Sequence, residues 1–237
     1  MDIRELDLSA AEIERIVGFM GYGTPGADVW FIGIEEGLGS MDSDDAIKNL
    51  KARAKFDSVM DLYQAHLQLR ELGAQLDFER KVPATQVWKF MAKIMLARER
   101  EDDWASTVAA NDYIRTRLGR SDGNTFMTEL SPIPASHGAD KRWVEKLKQM
   151  DQNLGEQISK RRENLKELLN DNSPRLVICY GHSKARDFAE LLGVKWELIG
   201  QSVYKSADSK CLLLPFFGQG HMSRFFIDDL LQAGLLD

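Results

Sequence analysis

The sequence predicts an α/β protein: a three-layer α/β/α sandwich around a four-stranded, mostly parallel sheet. Three observations carry this. Short apolar runs at 29–34, 124–130, 176–180 and 211–217 alternate with long charged segments of helical periodicity. The runs are nearly continuous rather than alternating, as in strands covered on both faces. Two of them empty into glycine-bracketed loops, Gly33-Ile34-Glu35-Glu36-Gly37 and Gly218-Gln219-Gly220-His221-Met222-Ser223. In open sheets of this class ligands collect beyond the carboxyl ends of the strands.

Each element has a local reason. Ser9 followed three residues later by Glu12 is a capping box opening a helix over 9–20. Gly21, Gly23, Pro25 and Gly26 end it before the first strand, 29–34. Residues 43–72 repeat apolar side chains at helical spacing. Pro83 is placed to start a helix running to about Arg98, with Val87, Phe90, Met91 and Ile94 on one face, and another helix follows over 103–118. The second strand, Asn124–Leu130, stops at Ser131-Pro132-Ile133-Pro134. Residues 140–170 are helical and charged, broken near Asn153-Leu154-Gly155. Asn172-Ser173-Pro174 turns the chain into the third strand, Leu176–Tyr180, and Gly181-His182-Ser183 opens a helix to Leu192. Strand-like residues recur at 196–199 and 211–217, and the last helix runs from about His221 to Gly234. The whole forms one domain, 1–237, with a strand-free helical insertion at about 40–120.

Composition narrows the function. Hydrophobic residues make up 43% of the chain, enough for a substantial core, and the formal net charge is −6. A bulk-electrostatic nucleic-acid binder is therefore disfavoured. The charge is uneven: residues 1–120 hold 21 Asp+Glu against 16 Lys+Arg, residues 121–237 hold 16 against 15. A local basic strip of Lys184, Arg186, Lys205, Lys210 and Arg224 remains open to phosphate, as does the reading of each as solvated surface charge. Cys179 and Cys211 lie in apolar runs and read as small buried hydrophobes of a reduced cytoplasmic protein. No signal-peptide core and no apolar run of membrane-spanning length is present, so no membrane association is expected.

The two loops hold the candidate chemistry. Adjacent carboxylates cannot point the same way, so of Glu35 and Glu36 one is expected to face the cleft and the other solvent. A phosphate-cradling Gly-x-Gly-x-x-Gly is spoiled by Ile34 and the two acids, which argues against a dinucleotide cofactor. His221, at a helix N-terminus, is favoured neutral by the helix dipole and can donate to a developing anion. Ser223 can cap that helix or hold a phosphate. Gly181-His182-Ser183-Lys184-Ala185 has the outline of a nucleophile elbow, with His221 and Asp208 as further members of a serine-hydrolase triad. The interval of about 38 residues from Ser183 to His221 is short for that fold, and the plainer reading is a βα turn with Ser183 as helix N-cap. His66 and His137 form no metal-binding spacing, and no metal or cofactor is expected.

Taken together, these motifs resemble the uracil-DNA glycosylase superfamily over about residues 28–232. Gly33–Gly37 stands where the family's first motif, Gly-x-Asp/Asn/Ala-Pro-Tyr/Gly, would be. Phe126–Pro132 is similar to the second strand, with Glu129 at the place of the base-reading Asn. Leu176–Ala185 is similar to the third strand and its Gly-x-x-Ala turn, and Leu213–Ser223 to the last strand and its His-Pro-Ser-x-x-Ser-type loop. The chain departs from the family in having Glu36 for Pro, Glu129 for Asn, and a shifted His.

A monomer is expected, and the resemblance implies that it flips a base of single- or double-stranded DNA, or another nucleobase-containing ligand, into a pocket. Glu35 would stabilise the sugar cation and orient water. His221 would stabilise the departing base. Backbone groups near Gly218, Gln219, Gly220 and Ser223 would hold phosphates, and Gly33, Ile34, Glu36, Gly37 and Glu129 would complete the substrate site. Trp30, Phe31 or Phe217 could lie near the base or serve the core. A carboxylate at 129 suits an exocyclic amine or ring N–H better than a uracil carbonyl. A non-catalytic binding protein on the same fold is the competing class.

Overall fold

The computed structural model describes residues 7–37, 43–71, 85–134, 142–200, 202–208, 210–218 and 224–236, with the side chains of all but 43–46, 142–143 and 224–225. In chain order the elements are α1 (Ala10–Gly18), β1 (Gly21–Gly23), β2 (Val29–Gly33), α2 (Ser43–Arg53), β3 (Val59–Met60), α3 (Leu62–Glu71), α4 (Gln86–Arg98), α5 (Thr107–Thr116) and β4 (Thr125–Glu129). There follow α6 (Arg142–Met150), α7 (Leu154–Asn172), β5 (Leu176–Tyr180), a 3-10 turn at His182–Lys184, α8 (Ala185–Leu192), β6 (Glu197–Gly200), β7 (Val203–Lys205), β8 (Cys211–Leu214) and α9 (Arg224–Gln232).

The expected four-stranded sheet is corrected to a mixed eight-stranded one in the order β3-β1-β4-β2-β5-β8-β7-β6. Its centre, β4-β2-β5-β8, is parallel and consists of the four strands read from the apolar runs. On one side β1 joins β4 antiparallel and β3 joins β1 parallel. On the other, β7 lies antiparallel to β8 and β6 to β7. Of the flanking strands, β6 falls on the strand-like residues read at 196–199, whereas β1, β3 and β7 are two or three residues long, too short for a periodicity argument. Gly-Tyr-Gly of β1 reads as a helix stop, yet its glycines are what permit the pairing: Gly23 has φ of 103°, and a Cβ there would overlap the Thr125 carbonyl of β4. The helical region at about 40–120, in which the sequence shows no confident strand, contains the two-residue strand β3 among its described residues. Residues 43–71 are interrupted by β3, and α4 and α5 pack into the principal core.

Strand alternation divides that core. Val29, Phe31, Met127, Ile178, Leu212 and Leu214 meet α4, α5 and α9 on one face. Trp30, Ile32, Phe126, Val177, Cys179 and Leu213 meet α7 and α8 on the other. Trp30, Phe31 and Phe217 are fully buried in this packing. Both cysteines are buried and free. A smaller cluster joins Ile13, Ile16 and Val17 of α1 to Leu50, Leu147 and Leu154. The Ser9–Glu12 capping box is formed, with the Glu12 carboxylate accepting from the Ser9 N–H at 2.8 Å. Among the described residues no helix is long and apolar enough to cross a membrane.

Candidate functional site

The parallel pairing of β2 with β4 builds the site. Gly33 is the register partner of Glu129. Pairing persists past the strand ends, with Leu130 N–H donating to the Gly33 carbonyl at 2.9 Å and Ser131 N–H to the Ile34 carbonyl at 2.8 Å. The Glu35-Glu36 turn and the Ser131-Pro132 segment therefore leave the sheet side by side. They open into a cavity of about 400 Å³ between the sheet edge and helices α2, α3 and α4. Glu35, Glu36, Gly37 and Glu129 line it, together with Tyr22, Arg53, His66, Trp88, Met91, Arg161, Tyr180 and Phe216.

Glu129 is its most perturbed acid. Oε1 accepts from the Tyr180 hydroxyl at 2.9 Å, while Oε2 is enclosed and has no hydrogen-bond partner among the described residues. Burial pushes this carboxyl up to about 7, opposed by the Tyr180 hydrogen bond and by Arg53 and Arg161, and reinforced by the charge of Glu35. Glycine at 33 makes the placement possible, because a Cβ there would overlap Glu129 Oε2 and the Tyr180 hydroxyl. Tyr180 is fixed from behind by stacking on Phe217, centroids 4.5 Å apart and planes within 13°. Burial and the neighbouring Glu129 hold the Tyr180 hydroxyl far above the ordinary tyrosine value, so it is a donor throughout the physiological range.

Two buried arginines brace the strand end. Arg161 of α7 donates to the carbonyls of Glu129 (2.7 Å), Leu130 (3.2 Å) and Phe19 (3.3 Å) and to the Thr128 hydroxyl (3.1 Å). Burial lowers it to about 10, which leaves it charged at neutral pH. Arg53 of α2 donates to the Pro132 carbonyl at 3.2 Å, lies 4.7 Å from the Phe19 ring centroid, and forms an ion pair with Glu36. The Tyr22 hydroxyl is 3.3 Å from both Glu36 oxygens. Glu36 thus does not simply face solvent: its charge is neutralised in place. Glu35 is left as the acid with a raised pKa in the turn, raised by partial burial and moderated by Lys184.

The other expected site residues divide. Gly33 is the floor beneath Glu129 and not itself on the cavity surface. Ile34 points the other way, into the packing around α7 and α8 and against Gly181. Gly218 packs beneath the Phe216 ring and does not line the cavity. Gln219, Gly220, His221, Met222 and Ser223 lie outside the described residues, as do Pro83 and His137.

Ser183 is exposed within the 3-10 turn, outside the cavity lining, and Lys184 rather than Ser183 holds the N-cap position of α8. The Asp208 carboxylate accepts from the Ser206 hydroxyl at 2.5 Å and the Lys210 N–H at 3.2 Å. Of the basic strip, Lys184 and Arg186 pair with Asp187 and Glu190 on their own helix, as solvated surface charges do.

Sequence reasoning missed Tyr22, Arg53, His66, Trp88, Arg161 and Tyr180. Tyr180 carried the one available signal, a polar group at the carboxyl end of an apolar run. His66 sits at a core-facing helical position, its Nδ1 2.8 Å from the Leu62 carbonyl and its ring edge-on to Trp88. Burial lowers its pKa, which favours the neutral ring. The arginines belong to charged helices where nothing marks one residue from its neighbours.

Neither a known family model nor any curated protein sequence matches the chain.

Proposed function

We propose that the chain hydrolyses the N-glycosidic bond of a deaminated or otherwise modified nucleic-acid base, on a three-layer α/β/α framework of the uracil-DNA glycosylase kind. One observation carries the reading. Adjacent parallel strands deliver two carboxyl groups of raised pKa, Glu35 and Glu129, into a single aromatic-walled cavity large enough for a nucleobase with its sugar. Breaking a base–sugar bond builds positive charge on the sugar, which a carboxylate stabilises while it orients the attacking water. Glu35 takes that part, since Glu36 is neutralised by Arg53.

Phe216 and Trp88 offer faces against which an extruded base can stack, and Glu129 meets its polar edge. His221, placed by the sequence three residues after Gly218, keeps the anion-stabilising role that the resemblance gives it, and the 218–223 loop its phosphate contacts. No metal or organic cofactor enters this reaction; water is the second substrate.

The test is a panel of duplex and single-stranded oligonucleotides carrying uracil, hypoxanthine, xanthine or mismatches. Formation of abasic sites, abolished by Glu35→Gln, is the expected result. Tight binding with no cleavage would instead make the chain a binding protein on this fold. Fluorophosphonate labelling of Ser183 would overturn the reading in favour of a serine hydrolase.

A further inference from the structure

The cavity already holds one flat cation against its wall. The Arg53 guanidinium lies 4.7 Å from the Phe19 ring centroid and forms an ion pair with Glu36. Phe19, Glu36 and Arg53 all line the cavity. A planar, delocalised cation set between an aromatic ring and a carboxylate is therefore an arrangement this surface accepts.

Glu35 has no such partner. It lines the same cavity, yet among the described residues it accepts no hydrogen bond and forms no ion pair. Lys184, whose charge reaches it, pairs with Asp187 instead. Tyr22, Trp88, Tyr180, Phe216 and Met91 line the cavity with it. A neutral ring entering here would strip water from Glu35 and return nothing for its charge. A positively charged ring would supply the counter-charge, and it would gain from aromatic walls that attract a desolvated cation.

The cations already present do not fill that role. Arg53 is matched by Glu36. Arg161 spends its donors on the carbonyls of residues 19, 129 and 130 and on Thr128, with the charge of Glu129 beside it. His66 is held toward its neutral form by burial.

We propose that the cavity selects a base that already carries positive charge, a purine alkylated on a ring nitrogen, and holds it against the aromatic walls with Glu35 as its counter-charge. The substrate class rests on the glycosidic reading and deepens it; the cation pocket stands on the geometry. Such a base needs no proton from the enzyme. That agrees with Tyr180 and Glu129, whose polar atoms are committed: the hydroxyl donates to Oε1, and Oε2 is enclosed against the Gly33 backbone.

The step balances. The C1′–N electron pair goes to the base and cancels its charge, so the base departs neutral. The water oxygen bonds C1′, and one water proton passes to Glu35 and on to solvent. One water is consumed and one proton released. Positive charge moves from base to sugar as the bond breaks, and Glu35 attracts it at both ends.

The test is a pair of oligonucleotides of one sequence, each as duplex and as single strand. One carries the 2′-fluoro nucleotide of 7-methyladenine, a fixed cation whose fluorine blocks cleavage. The other carries 7-methyl-7-deazaadenine on the same sugar, of the same shape and uncharged. Wild type should bind the cation about tenfold or more tightly than its isostere. Glu35→Gln should remove most of that preference and change binding of the neutral isostere by less than about threefold, since the site keeps its shape. Equal affinities in the wild type overturn the proposal whether or not the variant folds. So does a preference that survives Glu35→Gln, or an equal loss on both oligonucleotides.

Cleavage of oligonucleotides carrying 7-methylguanine or hypoxanthine separates this from the glycosidic reading. Release of hypoxanthine without a charge preference in binding overturns the cation pocket alone. A charge preference with neither base released supports the pocket and overturns hydrolysis, and with it the substrate class.

Discussion

The backbone of Gly33 is the surface on which the Glu129 carboxylate rests: the two are register partners on adjacent parallel strands, and a single carbon added at residue 33 would overlap Oε2. The same carbon would overlap the Tyr180 hydroxyl. Glycine here is required by close approach, not by backbone angle. Gly33→Ala should therefore force two enclosed polar side chains to move. The expected cost is about 1–3 kcal/mol, as for overpacking in a core. Urea unfolding checks this, and loss of the Tyr180–Glu129 hydrogen bond should follow the Glu129 carboxyl as a shift in its infrared band.

Arg161 makes four hydrogen bonds, three to residues 128–130 and the fourth to the Phe19 carbonyl. Arg161→Met keeps most of the buried stem but strands those acceptors. Each buried unsatisfied group costs about 1–3 kcal/mol. A total loss of about 3 kcal/mol or more is expected by urea unfolding, and hydrogen exchange should quicken at Leu130 and Ser131, whose N–H groups tie β4 to the turn after β2.

The Arg53–Glu36 pair should behave asymmetrically. Arg53 is almost fully buried, whereas the Glu36 side chain retains about a third of its exposure. Glu36→Gln leaves an arginine enclosed without its counter-charge and should cost about 3 kcal/mol, the low end for a broken buried pair. Replacing both, as Arg53→Met with Glu36→Leu, should cost less than the sum of the single changes. Thermal or urea unfolding of the four proteins in a double-mutant cycle measures this.

The raised Glu129 pKa has a stability signature. Its ordinary value is 4.5 and its folded value is about 7. Between these the folded protein binds more protons than the unfolded chain, so stability falls as pH rises. The contribution is fully present below about 4.5 and lost once pH has risen past about 7. Unfolding free energies measured across this window should decline with pH less steeply in Glu129→Gln than in the wild type. Equal slopes for the two proteins would contradict the assignment.

At the other end of the chain, Ser9→Ala removes the acceptor for the Glu12 N–H and half of the capping box. A loss of about 1 kcal/mol is expected, as for other N-caps, and should appear as a lowered urea midpoint.

Sequence alone determined what depends on neighbours along the chain. The apolar runs that became β2, β4, β5 and β8, the Ser9–Glu12 cap, the break between α6 and α7, and the acid-bearing turn after β2 were all legible, because period, capping and turn chemistry are local. Glu35 was legible as a candidate for the same reason, standing at the carboxyl end of an apolar run, whereas Glu129 was named only through the family resemblance.

Only the tertiary structure decided the rest. Gly21–Gly23 pairs with β4 through glycines that read as a helix stop. Arg53 and Arg161, unremarkable on charged helices, are drawn inward by carbonyls more than thirty residues away. Tyr180 meets Glu129 across 51 residues. Whether a carboxyl keeps its proton depends on which groups enclose it, and that enclosure comes from the crossing of distant strands and helices rather than from any spacing along the chain.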